Sequence, residues 1–182
     1  MRIVFFVLAA LILGVSGMAS AAEDAAPNAE KKVRVGVFDS RAVAIAYTHS
    51  KTGQEQLQQF VQQLKKELDQ AESSGDKERA ERVKAEGQAG QERLHQQGFG
   101  TASVKKYLDL VKDKIPAVAK DAKVDFIVSK WEVAYQSPAL DVVDITDDLV
   151  KVFEPNERTL KILQEMKKHP PIDEEEIRKM KD

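Results

Sequence analysis

The side chains that most often carry out catalysis are sparse in this sequence and do not cluster. The chain has 182 residues, three histidines and no cysteine, so neither thiol chemistry nor disulfide bonds are expected. His49, His95 and His169 lie far apart along the chain, and a lone histidine is more often a packing or surface residue than a metal ligand. The sequence also has neither a glycine-rich phosphate loop nor a Gly-x-Ser-x-Gly elbow. We therefore expect a protein that is not an enzyme and that uses no cofactor.

Two groups of acidic and hydroxyl side chains have an ordinary structural explanation. Asp39 and Ser40 follow a run of alternating valines, and Asp144-Ile-Thr-Asp-Asp148 precedes a short apolar helical pattern. Aspartate, serine and threonine at such positions cap helices, and negative charge is favoured in the first helical turn. The even spacing of oxygen ligands in a calcium-binding loop is missing. We interpret both groups as helix caps and expect no metal site.

Residues 1–21 have the pattern of a secretory signal peptide. Arg2 is followed by an uncharged apolar run and then by Ala19-Ser-Ala21, small residues typical of a cleavage site. We predict cleavage after Ala21 and a flexible leader at residues 22–32. The alternative is an uncleaved anchor, because residues 3–22 carry no charge and are long enough to span a bilayer.

Length and charge limit the partners of the exported chain. The length that remains after cleavage of the signal peptide suits one domain. The whole chain has 28 basic and 30 acidic residues, a balance that offers no general basic surface for nucleic acid or for an anionic membrane. We expect no nucleic acid partner.

A small sheet is predicted from three short segments. Val33, Val35 and Val37 alternate with other residues up to Asp39, as in a half-buried strand. A second strand is predicted at Val124–Val128 and a third at Trp131–Gln136, joined as a meander. Pro138 ends the third segment, and a helix is predicted at about 147–153.

A long helical region separates the first strand from the other two. Over residues 51–73 the apolar side chains recur at spacings of three and four, which predicts one face of a helix. Ser73-Ser-Gly-Asp76 predicts a turn, and the returning helix has glycine in the middle of its apolar stripe. We predict an antiparallel helical hairpin over residues 51–122, with coiled-coil-like arms in which Gly87 and Gly90 receive Leu64 and Phe60. The alternative is that the glycines make the arm soft enough to flex around a client.

Two interruptions and a tail complete the pattern. Gly98-Phe99-Gly100 breaks the periodicity, and we interpret it as a hinge that lets residues 51–97 move. Pro116 predicts a kink or a boundary near Ile115. Residues 154–182 form an additional tail, with a helix at about 158–168 that docks on the body or on a partner.

The predicted fold class is α+β. A small sheet body at residues 33–50 and 123–153 would carry the protruding hairpin. The strand ending in Asp39, the late strand at Val124–Val128, the Ala134-Tyr135 pair and the Asp144-Ile-Thr146 helix start resemble the Skp/OmpH family of trimeric periplasmic chaperones over roughly residues 33–153. The arms are shorter than those typical of that family.

The resemblance implies a periplasmic, ATP-independent holdase that binds unfolded outer-membrane or exported proteins as a homotrimer. It leaves open a peripheral position near the membrane. The competing hypothesis is an envelope structural or adaptor protein that presents its hairpin to one partner. On the chaperone hypothesis the client-binding residues are Phe60, Leu64, Leu68, Val83, Leu94 and Phe99. The residues through which the bodies would associate are Val35, Val37, Ile127 and Val128.

Overall fold

A computed structural model describes residues 32–180, so the predicted signal peptide and all but the last residue of the predicted leader lie outside the described residues. The described part is α+β, as predicted, with a small sheet and a larger share of helix. The strands are β1 (Arg34–Phe38), β2 (Phe126–Ser129) and β3 (Asp141–Asp144). The helices are α1 (Ser40–Thr48), α2 (Lys51–Ser73), α3 (Lys77–Gly98), α4 (Lys105–Asp109), α5 (Ile115–Ala122), α6 (Thr146–Lys151), α7 (Glu157–Met166) and α8 (Glu174–Lys179).

The sheet is parallel, and β1 lies at its centre between β2 and β3. Val35 is paired with Phe126 on one side and with Val142 on the other. Paired residues share a face of a sheet, and successive residues of a strand alternate between faces. One face therefore carries Gly36, Phe38, Ile127, Ser129 and Val143. The other carries Val35, Val37, Phe126, Val128 and Val142.

The third strand is not where the alternation of Trp131, Val133 and Tyr135 predicted it. Residues 131–136 contain no strand, and β3 lies further along the chain at Asp141–Asp144. The chain leaves β2 in a turn, because the Trp131 backbone N–H donates to Ser129 Oγ at 3.4 Å and its indole Nε1 donates to Asp39 Oδ1 at 3.1 Å. These two bonds hold Trp131 at the end of the sheet. The predicted meander was therefore wrong.

The first face of the sheet packs against helices. A side chain at Gly36 would begin 2.9 Å from Ile145 Cδ1 and 3.2 Å from Val124 Cγ2, so the close approach of these residues requires glycine at this position. Phe38, on the same face, is part of the hydrophobic core. Further members of that core come from α1, α4, α6, the turn after α6, and α7, and they include Val43, Ala46, Tyr107, Leu149, Phe153 and Leu163.

The region between α3 and β2 belongs to the body. Helix α3 ends at Gly98, and α5 begins at Ile115 with Pro116 in its first turn, so both predicted interruptions are present. Val104 and Tyr107 are buried in the core, and residues of α5 pack against it. The two long helices thus cover residues 51–98, whereas the prediction extended the hairpin to residue 122.

The C-terminal segment also packs on the rest of the chain. Leu163 of α7 is buried in the hydrophobic core. Ile177 of α8 is buried too, and Arg178 Nε lies 3.4 Å from Glu92 Oε1 of α3. Helix α7 therefore docks on the body, which was one of its two predicted positions, and α8 lies against the arm helix α3. Helix α8 was not predicted.

Candidate functional site

The two arm helices, α2 and α3, contact each other along a seam. Leu64 Cδ1 lies 3.5 Å from the point where a side chain at Gly87 would begin, and the Phe60 ring lies 3.1 Å from the equivalent point at Gly90. Phe60 precedes Leu64 in α2, whereas Gly90 follows Gly87 in α3, so the helices run antiparallel. The prediction that these glycines accept the two larger side chains is confirmed.

Nearer the turn, the arms bury their apolar side chains against each other. Ala71 and Ala80 are buried, and Val83 is only 6% exposed. Leu68 is half-buried. Val83 therefore offers no surface to a client while the helices are packed, contrary to the prediction. The heptad spacing that identifies an apolar face does not distinguish a seam between two helices from a surface open to a partner.

At the other end of the arms, an apolar cleft lies between α2, α3, α1 and α4. Its volume is about 400 Å³, and we call it the arm-base cleft. It brings together Phe60 and Leu94 from the predicted client-binding set. The prediction missed Leu57 and Leu110, which line the same cleft and are 41% and 54% exposed. Leu57 belongs to the predicted helical stripe, whereas Leu110 caps the short helix α4 and carries no periodic signal.

Two tyrosines form the wall of the arm-base cleft next to the core. The rings of Tyr47 and Tyr107 are stacked with their centroids 4.1 Å apart. The Tyr47 hydroxyl donates to Gln56, and the Tyr107 hydroxyl donates to the buried Gln97 at 2.7 Å. Burial raises the pKa of Tyr107 to about 12, and the neighbouring Tyr47 adds to the effect. This wall is therefore neutral at physiological pH, with both hydroxyl groups hydrogen-bonded.

Arg93 and Lys106 line the same cleft and give it positive charge. Among the residues that the structure describes, the cleft is lined by these two cations and by no acidic side chain. Lys106 Nζ lies 4.8 Å from the centre of the Tyr107 ring. Burial lowers the pKa of Lys106, and repulsion from Arg93 lowers it further. One sequence signal was present: positions three and four away from Arg93 hold Ala89, Gly90, Gln96 and Gln97, so no helical ion pair is available to it.

The structure separates Phe99 from the other predicted client-binding residues. Phe99 is 47% exposed and lines a different hollow of about 520 Å³, together with Ile45, Ile162 and Met166. Its ring meets that of His95 edge to face, with the centroids 5.7 Å apart. His95 is thus a packing neighbour of Phe99, as its isolation in the sequence indicated.

The predicted hinge at residues 98–100 is held by the C-terminal segment. A side chain at Gly100 would begin 2.8 Å from the Gln96 carbonyl oxygen and 2.8 Å from Ile177 Cδ1. Ile172 N–H donates to the Phe99 carbonyl at 2.9 Å. Gly98, in contrast, has nothing within 4 Å of the equivalent point. Gly100 is therefore needed for close packing, and the chain around it is not free to swing while the tail is docked.

The second face of the sheet is partly exposed. Phe126 is 50% exposed, and Val37, Val128 and Val142 are half-buried. We call these four residues the open sheet face. It contains two of the predicted association residues, Val37 and Val128. An apolar face of this kind is unusual for a parallel sheet, whose faces are ordinarily both covered.

The other two predicted association residues are less accessible: Val35 lies on the same side of the sheet but is buried, and Ile127 lies on the opposite side. Val35 is 5% exposed, because it lies in the centre strand between Phe126 and Val142. Ile127 is on the opposite face and packs against the hydrophobic core. The side chains of Ile127 and Val128, which are successive residues of β2, point to opposite faces, so the prediction was wrong in assigning Ile127 to the same surface as Val128. Val35 was assigned to the correct face but is covered by its neighbours.

Asp39 links the end of β1 to the segment after β2. As predicted, it caps α1, with Oδ1 accepting from the Arg41 backbone N–H at 3.0 Å. Its carboxylate also accepts from Arg41 Nη2 at 2.8 Å, from Lys130 Nζ at 2.9 Å and from the Trp131 indole at 3.1 Å. Burial alone would raise the pKa of Asp39, but the hydrogen bonds from Arg41, Lys130 and Trp131 outweigh it and lower the pKa to about 2. Asp39 is thus a buried structural anion.

Within residues 32–180, no group of His, Cys, Asp or Glu side chains is arranged to hold a metal ion. The helices of the same range include none whose length and apolar character would let it span a membrane. Comparison of the chain with protein-family models, with curated proteins and with solved structures finds no match.

Proposed function

We propose that this protein is a non-catalytic, chaperone-like holdase of the bacterial periplasm, which keeps unfolded outer-membrane or exported proteins soluble without ATP. The observation that carries the proposal is the apolar surface at the base of the arms. Leu57, Val61 and Leu110 are 41%, 55% and 54% exposed, and Phe60 and Leu94 are half-buried in the cleft beside them. Exposed apolar surface of this kind is a common mark of a protein-binding site.

The resemblance to the Skp/OmpH family and the signal peptide predicted at residues 1–21 support this proposal through the sequence. The exposed apolar surface lies at the arm base and does not extend along the seam toward the turn. Clients would therefore be held near the body. Binding through a few exposed side chains is shallow, which suits a holdase that has to release its clients.

We also propose that the body assembles as a homotrimer through the open sheet face. β2 and β3 are the two edge strands of the sheet, and edge strands carry backbone groups that pair readily with another chain. Phe126 and Val128 on β2, together with Val142 on β3, add apolar area next to those edges. Association of identical chains around a closed symmetry axis would cover this face and both edges.

The holdase proposal is tested by diluting a urea-unfolded outer-membrane barrel protein into buffer and following its aggregation by turbidity. A stoichiometric amount of this protein should suppress aggregation without nucleotide. Leu57→Gln with Val61→Gln should abolish most of the effect, because it removes exposed apolar area at the arm base. A matched control is Leu160→Gln with Met180→Gln, which removes two apolar side chains of similar exposure, 44% and 39%, from α7 and the C-terminus.

An adaptor function is the second candidate, and the buried seam of the distal arms favours it. Ala71, Ala80 and Val83 are used up in contacts between the arms, so the turn end is polar and suits a defined partner better than a range of unfolded ones. If the protein leaves the aggregation rate of the barrel protein unchanged and binds one folded envelope protein tightly, the adaptor function is correct and the holdase function is not.

A further inference from the structure

The arm-base cleft combines apolar walls with positive charge that has no acidic counterpart among residues 32–180. Arg93 and Lys106 have no ion-pair partner among the described residues, whereas the adjacent Lys105 is held by Asp109 at 2.6 Å. Two neighbouring cations repel each other, and an anion placed between them relieves that repulsion. The charge of the cleft therefore favours a ligand with an anionic group.

The backbone around the cleft argues against insertion of an extended polypeptide strand into the cleft itself, as distinct from contacts of client side chains with the exposed apolar residues at its edge. The lining residues belong to helices α1, α2, α3 and α4, or cap one of them, and the N–H and C=O groups in the interior of the long helices α2 and α3 are bonded within their own helix. At the junction of α1 and α2 the exposed ends are satisfied as well, since Gly53 N–H donates to Ser50 Oγ at 3.1 Å and Ser50 N–H donates to the Tyr47 carbonyl at 2.9 Å. A peptide inserted here in an extended conformation would lose water from its own backbone groups and gain few partners.

A hydrocarbon chain has no such groups and loses nothing polar on entering. The volume of about 400 Å³ lies in the range of small-molecule sites. Leu57, Phe60, Leu94 and Leu110 supply the apolar contacts. We propose that the arm-base cleft binds a single-chain anionic amphiphile of the fatty-acid class, with its alkyl chain on these four side chains and its carboxylate between Arg93 and Lys106.

The proposal is tested by isothermal titration calorimetry of the full chain, without any client, using dodecanoate below its micelle concentration. Dodecyltrimethylammonium, which has the same tail and the opposite charge, and octanoate, which has the same head and a shorter tail, serve as comparison ligands. We expect dodecanoate to bind at least tenfold more tightly than either, since each buried methylene and the ion pairs both contribute. Equal affinity for dodecanoate and dodecyltrimethylammonium would overturn the proposal.

Charge-matched variants locate the site. Arg93→Gln with Lys106→Gln should weaken dodecanoate binding by about tenfold or more. Lys112→Gln with Lys120→Gln removes the same charge from exposed positions outside the cleft and should change the affinity less than twofold. Equal losses in both double variants would show a general charge effect and contradict the site. The ligand series in the unmodified protein does not depend on how the variants fold.

A further titration, with a peptide as ligand, distinguishes an amphiphile site from a client site. If a peptide with acidic and apolar side chains binds and dodecanoate does not, the cleft is a polypeptide site and the amphiphile proposal is wrong, although the holdase function would stand. If dodecanoate binds while aggregation of the barrel protein is unaffected by the protein, the holdase function fails and the amphiphile site remains.

Discussion

The sheet body and the arms both use an aspartate to start a helix, and the two aspartates lie in different surroundings. Asp39 is buried beneath two cations and an indole. Asp76, which starts α3, is exposed and its carboxylate accepts from Arg79 N–H at 3.0 Å. The aspartate in the body thus joins several distant residues, whereas the aspartate in the arms only caps its own helix. We therefore expect the body to contribute most of the free energy of unfolding. Substitutions in the arms, including those at the cap of α3, should cost less.

The glycines of the two regions show the same contrast. Gly36 in β1 lies against Ile145 and Val124 with no room for a side chain, whereas Gly87 in α3 has only the flexible end of Leu64 at an ordinary contact distance of 3.5 Å. The body is closely packed around its glycine. At Gly87 the arm seam has room for a methyl group, and glycine there lowers helix stability. At Gly90 the seam is tighter, because the Phe60 ring lies 3.1 Å from the point where a side chain would begin.

The largest expected effect comes from exchanging each aspartate for the neutral asparagine. Asp39→Asn should lower the free energy of unfolding by about 3 kcal/mol, because it leaves Arg41 and Lys130 without their buried counter-charge. Asp76→Asn should cost less than about 1 kcal/mol, since asparagine also caps helices and the site is exposed. Urea unfolding followed by circular dichroism measures both. Equal costs would mean that the body is no more dependent on its cap than the arms are.

The acid response of the body depends on the same carboxylate. The pKa of Asp39 is about 2 in the folded protein, against an ordinary value of 3.8, so ionised Asp39 stabilises the fold fully above about pH 4. That contribution, about 2 kcal/mol, is lost as the pH falls from about 4 to about 2. The difference in unfolding free energy between the unmodified protein and Asp39→Asn should shrink over this interval. A difference that stays constant with pH would show that the charge of Asp39 is not the stabilising feature.

Filling the two glycines with alanine should have effects of opposite sign. Gly36→Ala should destabilise by about 1–3 kcal/mol, because the new methyl group clashes with Ile145 and Val124. Gly87→Ala should stabilise by up to about 1 kcal/mol through the higher helix propensity of alanine. Thermal unfolding of the two variants is compared directly. Destabilisation by Gly87→Ala would indicate that the seam is as tightly packed as the body.

Replacing Gly98 and Gly100 by alanine should also have opposite effects on stability, of smaller size. Gly98→Ala has open space around the new methyl group and should stabilise the end of α3 by about 0.5 kcal/mol. Gly100→Ala meets the Gln96 carbonyl and Ile177, so it should destabilise by about 1 kcal/mol or more and loosen α8. Hydrogen exchange over residues 172–180 reports the loosening. Unchanged protection in Gly100→Ala would mean that the docked tail does not restrain this segment.

Local patterns predicted the arms well and the sheet less well. The bounds of α2, the turn after it and the fit of Phe60 and Leu64 onto Gly90 and Gly87 depend on spacings within a few residues. The position of β3 depends on Trp131 being held by Asp39, which is 92 residues away. No periodicity in a short segment contains that contact. Ile127 was assigned to the association surface together with its neighbour Val128, although successive residues of a strand point to opposite faces.

The sequence predicted part of the apolar lining of the arm-base cleft and none of its charged residues. Apolar spacing identified Phe60 and Leu94, which do meet in one cleft. The same spacing included Val83, which the seam buries, and it could not include Arg93 or Lys106, because a helical stripe describes one element and the cleft is made by four. Charges without a helical partner, such as Arg93, are the signal that would have indicated this cleft.

The claim that the body is incomplete alone, and assembles through its open sheet face, is tested most directly by the mass of the purified protein in solution. Light scattering at micromolar concentration should give three times the mass of one chain. Phe126→Gln should shift the mass toward one chain, whereas Leu160→Gln, at a similarly exposed apolar position on α7, should leave the trimer intact. A fully folded protein with the mass of a single chain, at the same concentration and without any substitution, would contradict the account.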